Sequence, residues 1–180
     1  NDGEIPNAGT FDINGAWDTT RYTDWQKQLI GKTAHITDVQ GNISSGNENT
    51  QFLAGGGYHD QTTVFPGDFA DKKGSTHLNL THHSGNQKLM FSVSANYSAD
   101  NNNLPSTDLT GLAMSLAPDA PAVFNPDGTI NWQNSTWVNP FSYLRATYKR
   151  TTNNRCASGA VSYELMSGFF LKISGGYTSI

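Results

Sequence analysis

The sequence predicts an all-β fold, on the evidence of its aromatic and glycine content and of a two-residue apolar period. The 180 residues include 9 Phe, 7 Tyr and 4 Trp together with 18 Gly. Aromatic side chains suit the pleated surface of a sheet. From Leu78 onward apolar residues recur at every second position, the pattern of a strand with one apolar face. Clusters of Gly, Asn and Ser separate the alternating runs, so we expect antiparallel hairpins.

Charge and cysteine content exclude several classes of protein. The chain carries 11 basic and 15 acidic residues, a net charge of −4, without the basic patch of a nucleic-acid-binding protein. Its single cysteine, Cys156, excludes an intramolecular disulfide and a multi-cysteine metal site. No apolar run approaches the roughly 18 residues of a transmembrane helix. Because the chain starts at Asn1 without Met and stops within an alternating run, we expect an internal piece of a longer protein.

Three hairpins account for the alternating runs. The first covers residues 33–58 and turns at 46–49. The second runs from Leu78 to Tyr97 and turns at 84–87, and the third covers 157–178 and turns at 166–168. The turns inside the hairpins are short, whereas the links between them are long. We therefore expect a meander in which short turns alternate with long links.

The remaining residues form the links and a lead-in segment. Residues 59–74 and 99–142 are the two links. Residues 1–31 precede the first strand, and a helical turn is expected near 23–29 with Thr23 or Asp24 as its N-cap. The predicted division is a lead-in at 1–31, followed by strands and loops at 32–180.

The pattern of strands, turns and aromatics fits a transmembrane β-barrel. Such a barrel has strands of about ten residues, an apolar outer and a polar inner face, short turns on one side, long loops on the other and aromatic girdles. In each strand the apolar side chains occupy alternate positions, which we call the apolar parity. Among the residues that fall on it are Tyr58, Tyr97 and Tyr177. A water-soluble β-sandwich also alternates, so alternation alone leaves both architectures open. The parity assigns Leu78, Leu80, Leu89, Phe91, Val93, Val161, Tyr163, Leu171 and Ile173 to lipid, and His77, Asn79, Ser92, Ser94, Ser162, Glu164, Lys172 and Ser174 to the lumen.

Several stretches resemble the SusC/RagA-like TonB-linked outer-membrane transporters of the Bacteroidetes. The most specific is ANYSADNNNLPSTD at 95–108, and the similarity runs from about residue 23 to the end. The other matching stretches are 23–26, 45–53, 56–58, 64–67 and 175–178.

The resemblance implies a fold class and a set of partners. The chain would be an antiparallel meander forming part of a 22-stranded, plugged outer-membrane β-barrel that these residues alone do not close. It would have long extracellular loops, including 99–142, and one short loop helix. Residues 1–31 would follow a plug domain that the chain lacks. The parent protein would import oligosaccharides or peptides across the bacterial outer membrane with a SusD-like surface lipoprotein. It would engage TonB through a missing N-terminal region, contact outer-membrane lipid and need no cofactor.

The link at 99–142 contains the candidate contact residues. Ser106, Thr107 and Asp108 precede apolar residues at helical spacing, so we expect a short capped helix at 107–116. Clustered aromatic residues beside Asn can stack on sugar rings or on peptide side chains. An alternative, favoured for Trp137 and Phe141, is that they pack the loop onto its neighbours. The candidate substrate or partner contacts are Trp132, Trp137, Phe141, Tyr143, Leu109 and Leu112.

Catalysis and metal binding have little support in the sequence. Nucleophile-elbow, P-loop and dinucleotide motifs are missing and the carboxylates are scattered, so we do not expect an enzyme. His82 and His83 are adjacent strand residues and point to opposite faces, which disfavours a metal site. Residues 100–103 and Asp108 supply oxygen donors without EF-hand spacing, and we expect a solvated loop with Asx turns there. The alternative function is a secreted β-sandwich carbohydrate-binding module that uses exposed Trp residues.

Overall fold

The computed structural model describes residues 5–180, so the lead-in prediction for residues 1–4 lies outside the described residues. The strands are β1 (Ile36–Gly46), β2 (Thr50–Thr62), β3 (Ala70–His83), β4 (Leu89–Pro105), β5 (Thr147–Met166) and β6 (Phe169–Ser179). The helices are α1 (Trp25–Ile30), α2 (Thr110–Ser115) and α3 (Phe141–Arg145), with a 3₁₀ turn at Gln133–Ser135. No helix in residues 5–180 has the length and apolar character needed to span a membrane.

The strands form one antiparallel meander, which confirms the all-β prediction. Their order in the sheet is their order in the chain, so β1 and β6 are the edge strands. In the first hairpin Val39 lies opposite Tyr58, and in the third Val161 lies opposite Ile173. A β-bulge between Glu164 and Met166 adjusts the register next to the last turn. The described strands thus lie in a single sheet rather than in the two packed sheets of a sandwich.

The three predicted hairpins are present with their predicted turns. Strand β1 ends at Gly46 and β2 begins at Thr50. In the first turn the side chain of Asn47 accepts hydrogen bonds from the backbone N–H groups of Asn49 (2.9 Å) and Thr50 (2.8 Å). Gly168 has a φ of 78° in the last turn, a left-handed conformation that glycine adopts without steric cost. The side chain of Asn47 and the conformation of Gly168 therefore stabilise the turns of the first and third hairpins.

The strands extend further than the apolar alternation predicts, and the links are correspondingly shorter. The prediction that residues 100–103 form a loop is wrong, because β4 continues through them to Pro105. The predicted link 59–74 is reduced to residues 63–69, and the predicted link 99–142 is shifted to residues 106–146. Alternation reports where a strand has an apolar face, whereas the hydrogen-bonded ladder continues into polar sequence.

The sheet separates apolar from polar side chains as the parity predicts. Leu89, Phe91 and Val93 of β4 line one surface depression together with Val161 and Ile173. A second depression is lined mainly by residues of the opposite parity, among them Asn79, Thr81, Ser92, Ser94, Ser158 and Ser174. Large apolar side chains on the first face are exposed, among them Val39, Tyr58, Val93, Tyr97, Val161, Ile173 and Tyr177.

The contacts divide the chain into two compact units. The sheet unit consists of His35–Gln61, Asp71–Asn102 and Lys149–Ile180. The loop unit consists of the residues up to Ala34 together with Thr62–Ala70 and Asn103–Tyr148. The lead-in segment therefore shares a compact unit with both links, although the sequence suggests a separate segment.

The loop unit has a small apolar core of its own. Helix α1 begins after Asp24, whose side chain accepts from the N–H of Lys27 at 2.9 Å, which confirms the predicted cap. The core consists of Trp25, Leu29, Leu109, Ala113, Ala120 and Trp137. The indole rings of Trp25 and Trp137 lie 5.8 Å apart and tilted by 50°, and Trp25 Nε1 donates to the Ala117 carbonyl oxygen at 2.8 Å. Helices α1 and α2 thus pack through this core.

Candidate functional site

Trp132 is the exposed aromatic side chain among the tryptophan candidates. It lies in the loop unit and is 48% exposed. The three residues after it, Gln133, Asn134 and Ser135, have φ values of 42°, 55° and 65°. Left-handed backbone costs a non-glycine residue roughly 1–2 kcal/mol, and such residues normally occur singly. Three in succession mark a strained turn directly beside an exposed indole.

Hydrogen bonds inside the loop unit hold this strained turn. The side-chain oxygen of Asn131 accepts from the Gln133 N–H at 2.9 Å, and its side-chain amide donates to the Ala122 carbonyl at 2.9 Å. The hydroxyl of Thr136 donates to the Gln133 carbonyl at 2.8 Å. Trp17 Nε1 in turn donates to that hydroxyl at 2.9 Å. Contacts from the lead-in and from the link therefore fix the conformation of the turn.

Asn139 secures the same turn from the interior. Its side chain is fully buried, and its amide donates to the carbonyl oxygens of Val123 (2.7 Å) and Asn131 (2.9 Å). Its side-chain oxygen accepts from the N–H of Phe141 at 3.0 Å, next to the start of α3. Trp137 Nε1 also donates to the Asn131 carbonyl, at 3.0 Å. A buried amide with its hydrogen bonds satisfied rigidifies its surroundings.

The other candidate contact residues pack inside the loop unit. Leu109 is fully buried and Trp137 is 7% exposed. Neither side chain therefore presents a surface that a substrate or partner could contact. Leu112, Phe141 and Tyr143 are partly buried against the same core. Phe141 also meets the exposed Phe124 edge to face, with ring centroids 5.5 Å apart. The structure therefore separates Trp132 from the five candidates whose side chains stabilise the loop unit.

The helix expected at 107–116 is present but shorter and differently capped. Helix α2 spans Thr110–Ser115, and its N-cap residue Leu109 makes no side-chain cap hydrogen bond. Asp108 instead accepts from the N–H of Thr110 at 2.8 Å, and this backbone hydrogen bond is the main reason why the pKa of its carboxyl is lowered. The Leu109 side chain has no hydrogen-bond acceptor and therefore cannot cap the helix, and it packs in the core instead.

A second turn in the loop unit holds a carboxylate by local hydrogen bonds. Asp127 Oδ1 accepts from the Thr129 hydroxyl at 2.6 Å and from the Thr129 N–H at 2.9 Å. The hydroxyl contact is the larger cause and the backbone contact the second cause of the lowered pKa of Asp127. The turn is closed by the Asn125 N–H, which donates to the Thr129 carbonyl at 2.8 Å. Through these hydrogen bonds the Asp127 carboxylate stabilises the turn.

The polar face of the sheet unit contains a groove that the sequence did not single out. It has a volume of about 610 Å³ and is lined by Asp38, His59, Asp71, Lys73, His77 and Asp100, among others. The β1–β2 register places Asp38 opposite His59, and His59 Nδ1 lies 2.7 Å from Asp38 Oδ1. Gly56 and Gly57 also line the groove, and a Cβ added at the preceding Gly55 would come within 2.6 Å of the His77 ring. The signal in the sequence is the run of three glycines at 55–57, but the groove itself depends on the register of β1, β2 and β3.

The histidines occupy the faces expected from strand geometry. His82 stacks on Phe91 with ring centroids 5.2 Å apart, and its Nδ1 lies 2.7 Å from the Thr50 hydroxyl. Phe91 belongs to the apolar face, so His82 lies on the side opposite to the polar groove. Within residues 5–180 no three His, Cys, Asp or Glu side chains are grouped in a way that could hold a metal ion.

Comparisons with known proteins give no family assignment. No protein-family model matches the chain, and no curated protein matches it.

Proposed function

We propose that the chain is part of the wall of an outer-membrane β-barrel transporter of the SusC/RagA-like, TonB-linked type. In this proposal the apolar face of the sheet contacts lipid and the polar face lines the lumen. The whole protein imports oligosaccharides or peptides with a SusD-like surface lipoprotein, and these residues contribute to transport rather than to catalysis.

The opposed faces of the six-stranded sheet are the observation that carries the proposal. Val161 and Ile173 form a directly opposed pair on one face and are both exposed. Their strand neighbours Ser162 and Lys172 form the next pair, of the opposite parity. A water-soluble protein rarely leaves a large contiguous apolar surface uncovered. A sheet with one lipid-facing and one hydrated face has the side-chain distribution seen here.

The edge strands and the aromatic positions support the same proposal. Strands β1 and β6 lie at the two ends of the strand order and could pair with further strands of a larger barrel. Tyr97 and Tyr177 line one depression on the apolar face, as expected of neighbouring girdle residues. The sandwich alternative would require a second sheet, and the strands of residues 5–180 belong to one. The resemblance at 95–108 supplies the proposed family, substrate classes and partners.

Detergent dependence tests the proposal on the chain itself. We expect the wild-type chain to sediment in detergent-free buffer, and to show a β-sheet circular dichroism spectrum in micelles. The triple variant V93S, V161S and I173S removes apolar surface from β4, β5 and β6, so its partition into micelles should fall. The matched variant S94A, S158A and S174A changes the polar face of the same strands and should partition like the wild type.

A folded, monomeric wild-type chain in detergent-free buffer would contradict the membrane proposal. Equal loss of micelle partition in both triple variants would also contradict it, because the two faces would then not differ in their contact with apolar solvent. The SusD-like partner has a separate test, in which the whole transporter is purified from membranes and the co-purifying lipoprotein is identified.

A further inference from the structure

We propose that Trp132 is a preorganised stacking platform for a neutral sugar ring. The inference rests on the proposed function in one respect, since an imported oligosaccharide supplies the ligand. It narrows the substrate from oligosaccharides or peptides to a saccharide contacted through this indole.

The first support is the contrast between Trp132 and the neighbouring tryptophans. Trp25 and Trp137 are buried in the core of the loop unit, and Trp17 is packed against that core. Each of these three indole N–H groups donates a hydrogen bond within the unit: Trp17 to Thr136, Trp25 to Ala117 and Trp137 to Asn131. Trp132 is not a member of the core and exposes about half of its surface. About half of the Trp132 surface is therefore available to a ligand.

The second support is the backbone conformation that follows Trp132. The left-handed residues Gln133, Asn134 and Ser135 persist because surrounding groups fix them. The Ser135 N–H donates to the Trp132 carbonyl at 2.8 Å, and the Thr136 N–H donates to the Gln133 carbonyl at 3.2 Å. A backbone that is already fixed loses little conformational freedom when a ligand binds. The strain in the turn is thus consistent with a site that is arranged before the ligand arrives.

The third support concerns the chemistry of the ligand. The residues that flank Trp132 in the chain carry amide or hydroxyl groups, and Asn134 and Ser135 are exposed: Asn131, Gln133, Asn134 and Ser135. An apolar peptide side chain would be recognised by an apolar pocket, which buries it from several sides. A pyranose ring presents C–H groups on its faces and hydroxyls at its rim, so it can stack on one indole while its rim meets amides and hydroxyls. An exposed indole that is flanked in the chain by polar residues therefore favours a sugar over an apolar side chain.

Binding of defined oligosaccharides to the whole chain in detergent micelles tests the inference. The probes are maltohexaose, cellohexaose, xylohexaose and mannohexaose, each titrated by isothermal calorimetry. We expect at least one hexaose to bind, and W132A to weaken its binding about tenfold, the low end of the range for a nucleobase stacked on an aromatic side chain. W132F should restore most of the affinity, because it retains an aromatic face. M114A removes another exposed apolar side chain of the loop unit and should bind like the wild type.

The outcomes separate this inference from the membrane proposal. If none of the four hexaoses binds, or if W132A binds as well as the wild type, the assignment of Trp132 as a stacking platform is wrong. That result does not change the detergent dependence of the chain, which tests the membrane proposal separately. If the chain instead binds an equimolar tetrapeptide mixture through Trp132 and none of the hexaoses, the assignment to a sugar is wrong. If a hexaose binds through Trp132 to a chain that is folded without detergent, the platform stands and the membrane proposal fails.

Discussion

Trp17 and Thr136 are joined by a 2.9 Å hydrogen bond from the indole Nε1 to the threonine hydroxyl. The contact spans 119 positions of the sequence and ties the lead-in to the turn that follows Trp132. Because the hydroxyl also donates to the Gln133 carbonyl, it is both acceptor and donor in the network that holds the turn. Two parts of the loop unit that are distant in sequence therefore share one polar contact.

The first prediction follows from this hydroxyl. T136V keeps the shape of the side chain but removes both hydrogen bonds, and leaves the Trp17 N–H without its acceptor. A partly buried hydrogen bond contributes about 1 kcal/mol, so we expect the free energy of unfolding of the loop unit to fall by about 1–3 kcal/mol. Tryptophan fluorescence in a urea titration measures it, since Trp17, Trp25, Trp132 and Trp137 all lie in the loop unit. T107V, at an exposed threonine, is the control.

The second prediction concerns the strain in the turn. S135G should raise the free energy of unfolding by about 1 kcal/mol, because glycine adopts the φ of 65° without the steric cost that serine bears. The matched control is S115G at the end of helix α2, where glycine should be neutral or destabilising. A loss of stability in S135G as large as that in S115G would show that the turn is not strained at this residue.

The sheet is the part of the fold that the sequence predicts best, because the sequence signals of strands and turns come from neighbouring residues. Alternation assigns each side chain to a face, and Asn47 and Gly168 provide the chemistry of two turns. Register is harder to predict. A turn centred on 46–49 would place Asp38 opposite Gly57, two residues from its observed partner His59. An error of two residues preserves the face of every side chain but changes its neighbour, so the faces are predictable and the groove is not.

The loop unit is less predictable, because distant segments build it. The apolar spacing around Leu109 indicates a helix, but the spacing does not reveal that Trp25 covers its apolar face. A tryptophan within two residues of an asparagine has a similar local pattern whether it is exposed, as Trp132 is, or buried, as Trp137 is. The side chain of Asn139 illustrates the limit most clearly, since its burial depends on carbonyl groups 8 and 16 positions away.

The third prediction tests the close approach of the backbone at the end of β1. A Cβ at Gly46 would lie 2.5 Å from the Thr50 carbonyl oxygen and 2.8 Å from the Gln51 Cα, so the hairpin backbone would have to move. We expect G46A to lower the free energy of unfolding of the sheet by about 1–3 kcal/mol. G41A lies on the same strand with no atom within 4 Å of the added Cβ. Circular dichroism at the β-sheet minimum measures both, and equal effects would contradict the contact.

The fourth prediction concerns pH and Asp127. Hydrogen bonds from the Thr129 hydroxyl and N–H to the carboxylate lower the pKa of Asp127 in the folded chain. A lowered folded pKa means that the carboxylate stabilises the turn at pH values above the pKa of an unfolded aspartate. This stabilisation is lost as the pH falls through the folded pKa. T129V should raise the pKa of Asp127 toward its ordinary value without restoring it fully, because the backbone N–H remains.

Carboxyl carbon chemical shifts followed from pH 7 to pH 2 measure the pKa of Asp127 directly. Asp108, whose carboxylate accepts from Thr110 and not from Thr129, provides an internal control in the same link. A pKa of Asp127 that is the same in T129V and in the wild-type chain would show that the hydroxyl does not stabilise the carboxylate.

The fifth prediction compares two adjacent residues on opposite faces of β4. Val93 is exposed on the apolar face, whereas Ser94 lines the polar depression. Val93 also lies at the middle of the apolar series that runs from Leu89 to Tyr97, so the proposed barrel places it near the centre of the membrane. V93R would put a charged group in lipid there and should cost roughly 2–4 kcal/mol of folding free energy in a bilayer, whereas S94R would place the same charge in the lumen at a much smaller cost.

Urea titrations of the whole transporter refolded into vesicles measure both variants. Because the substitutions share a strand, a charge and a membrane depth, the difference between them isolates the solvent on each face. Equal costs would remove the assignment of the apolar face to lipid, and a larger cost for S94R would reverse the two faces.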